Sequence, residues 1–295
     1  MIIDVHAHVF AFPLLRNRNS DMPFLCPEQQ LEIMDAKGID KSVILPLTNA
    51  ENCAEPQSFG EILYICRKYP GRFIPFCNID PRLPKRPDMV KVEDYIYILS
   101  QYKDLGAKGL GEFVARLYWN DPLVLKLLQA CEQLQLPVLF HTITSDVNSY
   151  GVIDYPGLPL LEDVLKRFPQ LIMIGHSAAF WSEISGELTY KDKNDYPTGT
   201  VKHGGAVIEL MRKYPNLYGD ISAGSGLNAL QRDPEFAWQF LEEFQDRLLL
   251  GLDYCSIKND MQHIEWLSAA RENHNLNDAT YHKIMGKNAC KLLQL

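Results

Sequence analysis

The 295-residue sequence has no run of about 18 consecutive apolar residues, the length that a membrane-spanning helix requires. Its first residues, MIIDVHAHVF, lack the basic segment and long apolar core of a signal peptide. We therefore expect a cytoplasmic protein with no membrane partner. There is no excess of positive charge either. The net charge of −8 argues against nucleic acid as a partner.

Paired cysteine motifs are also missing. The seven cysteines are odd in number, widely separated and contain no C-x-x-C pair: Cys26, Cys53, Cys66, Cys77, Cys131, Cys255 and Cys290. This usage fits reduced thiols and not a disulfide framework. The sequence has no G-x-S-x-G turn of the kind found in serine hydrolases, and no glycine-rich phosphate-binding segment follows its first strand.

Short apolar, β-rich runs alternate with amphipathic helical stretches along the whole chain. The eight runs cover residues 1–9, 41–48, 72–79, 106–113, 136–142, 171–177, 216–222 and 247–254. Helical stretches such as CPEQQLEIMDAKG end at glycine or proline just before the next strand. Eight strand–helix units without a linker predict a (β/α)₈ TIM barrel, an α/β fold, as a single domain over residues 1–295. An open doubly wound sheet is the alternative.

Polar residues of metal-binding type stand at the ends of these runs. His6 and His8 lie two residues apart, and alternation along a strand places them on one face, where both can reach one ion. The candidates at the ends of later strands are Glu112, His141, His176 and Asp253. In a barrel all of them meet at the C-terminal rim, beneath the long connections 9–27, 142–157 and 178–200. Such ligands suit Zn²⁺ and similar ions.

Several segments together resemble the amidohydrolase superfamily of metal-dependent TIM-barrel enzymes. They are DVHAH, LFHT, RFPQLIMIGHS, KYPNLYGDIS, LLLGLDY and IMGKNACKLL. Within that superfamily the chain is similar to the branch that includes aminocarboxymuconate semialdehyde decarboxylase. The resemblance implies that His6, His8, His141 and Asp253 hold a divalent metal. It makes His176 either a catalytic base or electrophile, or a ligand to a second ion, and by analogy it suggests a homodimer.

Glu112 departs from the decarboxylase-like pattern. In some binuclear relatives a carboxylate of the fourth strand bridges two ions, and Glu112 suits that role better than Lys108, which lies four residues deeper. With Glu112 as a bridge, two groups form, one for each ion: His6, His8 and Asp253, and His141 and His176. Alternatively, Glu112 pairs with an arginine such as Arg116. The number of ions therefore stays open at one or two.

These residues favour a metal-dependent hydrolase that uses a metal-activated water on a small ester, lactone or amide. Asp253 would carry the proton of that water, and His176 would steady the developing charge. The alternative is a metal-dependent, non-oxidative decarboxylase of a small carboxylate, in which one ion suffices. A second ion at Glu112 would favour hydrolysis, and an arginine aimed at a substrate carboxylate would favour decarboxylation. The third hypothesis is a barrel without catalytic activity. The presence of a candidate ligand at every expected strand argues against it.

Other polar and aromatic residues are weaker candidates. Arg82 and Arg116 follow strands and could grip a substrate carboxylate, and Trp181 could line a pocket. Asp4 or Asp220 could hold a histidine N–H from behind the metal ligands. Cys255 is expected to face the site, although nothing in the sequence marks it as a nucleophile.

Overall fold

The computed structural model describes residues 1–16, 21–52, 56–189 and 192–295. Cys53 lies outside the described residues, as do small parts of two of the predicted loops. The strands are β1 (Ile3–Ala7), β2 (Lys41–Ile44), β3 (Phe73–Pro75), β4 (Leu110–Phe113), β5 (Val138–Ile143), β6 (Val152–Ile153), β7 (Met173–His176), β8 (Leu217–Asp220) and β9 (Leu248–Leu249). All eight predicted strands are present, and the two-residue β6 is an addition to them.

The helices are α1 (Pro27–Lys37), α2 (Phe59–Lys68), α3 (Val92–Asp104), α4 (Pro122–Leu134), α5 (Pro159–Arg167), α6 (Ala178–Ser182), α7 (Ala206–Lys213), α8 (Ala223–Gln231), α9 (Pro234–Glu243), α10 (His263–Glu272), α11 (Asp278–His282) and α12 (Asn288–Leu293). Local sequence explains several boundaries. The Asp121 side chain accepts the Leu123 N–H and caps α4, and Gly38 ends α1 in the left-handed conformation, with φ 69°. Among the described residues, no helix is long and apolar enough to cross a membrane.

In the described part of the chain, every pair of neighbouring strands is parallel. β1, β2 and β3 form one sheet; β4, β5, β7, β8 and β9 form the other in that order, with β6 beside β5. Isolated bridges connect the two sheets at both edges, between Cys77 and Leu110 and between Ala7 and Tyr254. Strands therefore follow one another around the sheet in chain order, with helices between them. This arrangement confirms the predicted TIM-barrel class.

Two apolar clusters fill the molecule. The larger one packs the helices against the strands. The smaller one joins residues from six strands to α12 and includes Leu139 and Ile174. These two side chains lie two residues before His141 and His176 on the same strands, so alternation puts all four on the same face. The candidate site therefore stands directly on a buried apolar layer.

Candidate metal centre

All six predicted ligands come together at the C-terminal ends of the strands: His6, His8, Glu112, His141, His176 and Asp253. The Nε2 atoms of His6 and His8 are 3.2 Å apart, and each lies 3.5 Å from Asp253 Oδ1. A tetrahedral zinc ion with ordinary bonds to nitrogen and oxygen separates its ligand atoms by roughly 3.4 Å. These three atoms thus match one face of a tetrahedral metal site.

Glu112 lies between two pairs of histidines. Its Oε2 is 3.4 Å from His8 Nε2 and 3.9 Å from His6 Nε2. Its Oε1 is 3.0 Å from His141 Nδ1 and 3.9 Å from His176 Nε2. Each carboxylate oxygen therefore faces a different pair, which is the arrangement that a carboxylate bridging two ions requires.

A further layer of acceptors fixes the orientation of the imidazoles. His6 Nδ1 is 2.7 Å from Asp220 Oδ2, and His8 Nδ1 is 3.1 Å from the carbonyl oxygen of Leu45. Because a carbonyl oxygen can only accept, the His8 Nδ1 carries the hydrogen and its Nε2 lone pair faces the site. The carboxylate of Asp220 has the same effect on His6. The donor set and its orientation therefore fit a divalent cation.

Of the two aspartates expected behind the candidate ligands, Asp220 contacts the imidazoles and Asp4 does not. Asp4 Oδ1 accepts the backbone N–H groups of His6 and Leu252, at 3.0 and 2.9 Å, and its Oδ2 accepts the Ser42 hydroxyl. Asp4 consequently fixes the backbone of β1 against the loop that carries Asp253. Burial raises the pKa of the Asp4 carboxyl to about 7.

Buried carboxylates dominate the electrostatics of the site. Burial works against the charge on Glu112, but contacts with His141 and His8 outweigh it and hold the pKa of Glu112 well below its ordinary value. Burial also opposes protonation of His176, yet Asp220 raises the pKa of His176 to about 9. For His141, burial prevails and lowers the pKa. The surrounding carboxylates therefore favour a positive charge in this site, whether a proton or a metal ion.

Neither arginine that the sequence offered for substrate binding points its guanidinium at these ligands. Arg82 forms hydrogen bonds with Asp80 at 2.7 Å and Glu51 at 2.9 Å. Arg116 donates to three backbone carbonyls between residues 145 and 149. Arg116 thus fixes the loop after β5, and the alternative in which it pairs with Glu112 is not what the structure contains.

Trp181, the third weak candidate, is fully buried, with 1% of its surface exposed. Its indole N–H donates to the backbone oxygen of Asp220 at 2.8 Å, and its ring packs over Gly219, where a Cβ atom would come within 3.0 Å. Trp181 therefore supports the end of β8 that carries Asp220, behind the ligands.

Three residues around the site were not among the candidates taken from the sequence. Ser222 Oγ is 2.9 Å from His176 Nδ1; it lies two residues after Asp220, so alternation along the strand could have found it. Tyr150 lies with its ring centroid 4.8 Å from that of His141, and Phe24 lies 6.3 Å from His8. Both aromatic residues come from irregular loops, whose positions no periodic pattern predicts. Both aromatic rings therefore lie beside the candidate ligands.

Gly251 packs against the carboxylate that orients the histidines. A Cβ atom there would lie 2.2 Å from Asp220 Oδ1 and 3.1 Å from His6 Cβ. We predict that Gly251→Ala lowers the stability by about 1–3 kcal/mol, the usual result of overpacking. Because Asp220 must move, zinc affinity should fall by roughly 10- to 100-fold.

Thermal unfolding and a competition titration with a zinc chelator measure both effects. Gly60→Ala is the matched control, since its Cβ would meet only Ser58 Oγ at 3.6 Å. Zinc affinity in the control should equal that of the wild type. Equal affinity in Gly251→Ala would show that Asp220 does not support the ligands.

A family model described as amidohydrolase matches residues 3–295. No curated protein matches the sequence. Among solved structures, an uncharacterized TIM-barrel protein from Bordetella bronchiseptica is 20% identical and has a TM-score of 0.68, covering 99% of this chain and 98% of its own. A 2,6-dihydroxybenzoate decarboxylase from Rhizobium is 15% identical, with a TM-score of 0.60 and coverage of 99% and 98%. An amidohydrolase from Burkholderia multivorans with bound zinc is 12% identical, with a TM-score of 0.62 and coverage of 100% and 99%.

Proposed function

Because the chain belongs to the amidohydrolase family, we propose that it is a metal-dependent hydrolase acting on a small ester, lactone or amide. The observation that carries this proposal is the position of Glu112, whose two carboxylate oxygens face two different histidine pairs. A carboxylate so placed suits two ions, and paired ions favour hydrolysis because they can act on water and on the substrate together.

The proposed ligands divide around Glu112. One ion would be held by His6, His8 and Asp253, and the other by His141 and His176, with Glu112 shared. A ligand set of imidazole nitrogens and carboxylate oxygens suits zinc better than magnesium or calcium, which prefer a shell made only of oxygen atoms. When bound, the ions supply Lewis acidity, which lowers the pKa of a water molecule and polarises an oxygen of the substrate.

A side chain of the protein would then accept the proton of the attacking water and pass it on. Asp253 is the least buried of the carboxylates in the site, with 17% of its side chain exposed against 4% for Glu112. It can therefore face both the ligands and an incoming substrate. We assign to Asp253 the role of general base, which accepts the proton of the attacking water and delivers it to the leaving group.

Tyr150 would complete the substrate side of the site. It lies beside His141, and burial together with the charges of Glu112 and Asp253 raises its phenol pKa well above the ordinary value. The hydroxyl therefore stays protonated and can donate a hydrogen bond to a substrate oxygen.

Decarboxylation of a small carboxylate is the second candidate. The Rhizobium decarboxylase has the same fold over nearly its whole length, so this architecture accommodates that reaction. The contacts of Arg82 and Arg116 argue against decarboxylation. Both guanidinium groups are bonded to other protein groups, so neither is placed to bind a substrate carboxylate as the sequence suggested. In this second reading one ion suffices, and His176 acts on protons in place of binding metal.

The two candidates differ in their products. Metal-free protein, prepared with a chelator and then reloaded with zinc, is assayed on esters and lactones with a pH indicator, on amides for released amine, and on small carboxylates for released CO₂. We expect release of acid or amine that needs zinc, and no CO₂. Zinc-dependent CO₂ release without hydrolysis would replace the first proposal by the second.

A further inference from the structure

Cys255 lies at the edge of the candidate metal centre. Tyr254, the residue before it, pairs with Ala7 of β1, so Asp253 and Cys255 flank a position that is fixed to the sheet. The backbone N–H of Cys255 donates to Asn259 Oδ1 at 3.0 Å, which holds the loop in place. As a result Cys255 Sγ lies 3.4 Å from Asp253 Oδ1.

Three ligand-type atoms at this edge lie close enough together to share one ion. Asp253 Oδ1 is 3.5 Å from His8 Nε2 and 3.4 Å from Cys255 Sγ, and the three ligand atoms all lie within 4.8 Å of one another. A tetrahedral zinc ion with ordinary bond lengths separates nitrogen from oxygen by roughly 3.4 Å and sulfur from oxygen by roughly 3.6 Å. Both observed separations agree with these values to within about 0.2 Å.

We propose that Cys255 is a further, thiolate ligand of the ion that His6, His8 and Asp253 would hold. The proposal rests on the metal centre of the proposed function, but it does not depend on which reaction that centre performs. On binding, a metal–sulfur bond replaces the S–H bond and the proton leaves to solvent. A sulfur ligand shifts the preference of the site toward Zn²⁺, Co²⁺ and Cd²⁺ and away from Mg²⁺ and Mn²⁺.

No other described cysteine belongs to such a group. Where the structure describes the chain, the clusters of ligand-type atoms include Cys255 as their only sulfur. Because Cys53 lies outside the described residues, the test replaces Cys255 directly and does not rely on elimination.

Cobalt reports sulfur ligation directly, because a thiolate bound to Co²⁺ produces a charge-transfer absorption in the near ultraviolet, apart from the visible bands of the ion. The full chain is freed of metal and titrated with CoCl₂. We expect the near-ultraviolet band in the wild type, its loss in Cys255→Ser, and retention of the visible bands in that variant. Cys290→Ser is the matched control, since Cys290 is also partly buried but packs on the smaller apolar cluster.

The outcomes separate this proposal from the proposed function. Visible cobalt bands without the near-ultraviolet band in the wild type would exclude Cys255 as a ligand and leave the metal centre standing. A band that persists in Cys255→Ser would also exclude it. No cobalt binding at all would overturn both. Should Cys255→Ser fail to fold by circular dichroism, the wild-type spectrum and Cys255→Ala decide the question.

Discussion

Replacing Asp253 by asparagine should lower kcat for hydrolysis by about 10²- to 10⁴-fold, the usual contribution of a general base. The amide keeps one oxygen toward His6 and His8 but cannot accept a proton as a carboxylate does. The fold should survive, because Asp253 has a left-handed backbone with φ 58°, a conformation that asparagine tolerates equally well. Steady-state kinetics and circular dichroism on the same preparation measure the two effects.

Asp260→Asn provides the control for this loop. Asp260 is exposed and lies seven residues further along the chain, so its substitution should leave kcat unchanged. If kcat for Asp253→Asn fell by less than about threefold, the loss would be far smaller than a general base contributes. Asp253 would then not be the general base.

Replacing Glu112 by glutamine should cost the protein one of its two ions. The amide presents an oxygen to one histidine pair but an NH₂ group, which cannot bind a cation, to the other. Hydrolysis should fall by more than the roughly 10- to 100-fold that loss of an outer hydrogen-bond partner causes. Plasma mass spectrometry gives the metal content per chain, and kinetics give the rate.

Glu93→Gln is the matched control, because Glu93 is an exposed residue in the first turn of α3. It should keep both ions and full activity. Two ions retained in Glu112→Gln would mean that Glu112 does not bridge them.

The strands and the candidate ligands at their ends could be predicted because both follow local rules. Apolar runs mark the strands, and glycine or proline ends the helical stretch before the next strand. Parallel strands bring their C-terminal residues to one rim. His141 and His176 are an example, since they are paired directly across β5 and β7. Such rules need no knowledge of distant contacts.

The residues that surround the candidate ligands could not be assigned from the alternation of side chains along a strand. The pairing of β1 with β2 shifts register between Asp4 and Ala7, so a rule that assumes a regular strand cannot say which aspartate reaches an imidazole. Arg82 binds Glu51, 31 residues away, and that contact depends on how two loops meet. Tyr150 reaches the site from an irregular loop for the same reason.

Metal content per chain tests the central claim most directly. The full chain is purified without chelator or added metal, and its content is measured by plasma mass spectrometry before and after reconstitution with zinc. The bridging position of Glu112 predicts two equivalents. One equivalent would leave His176 free for proton transfer and contradict the two-ion hydrolase, and no bound metal after reconstitution would contradict the metal centre itself.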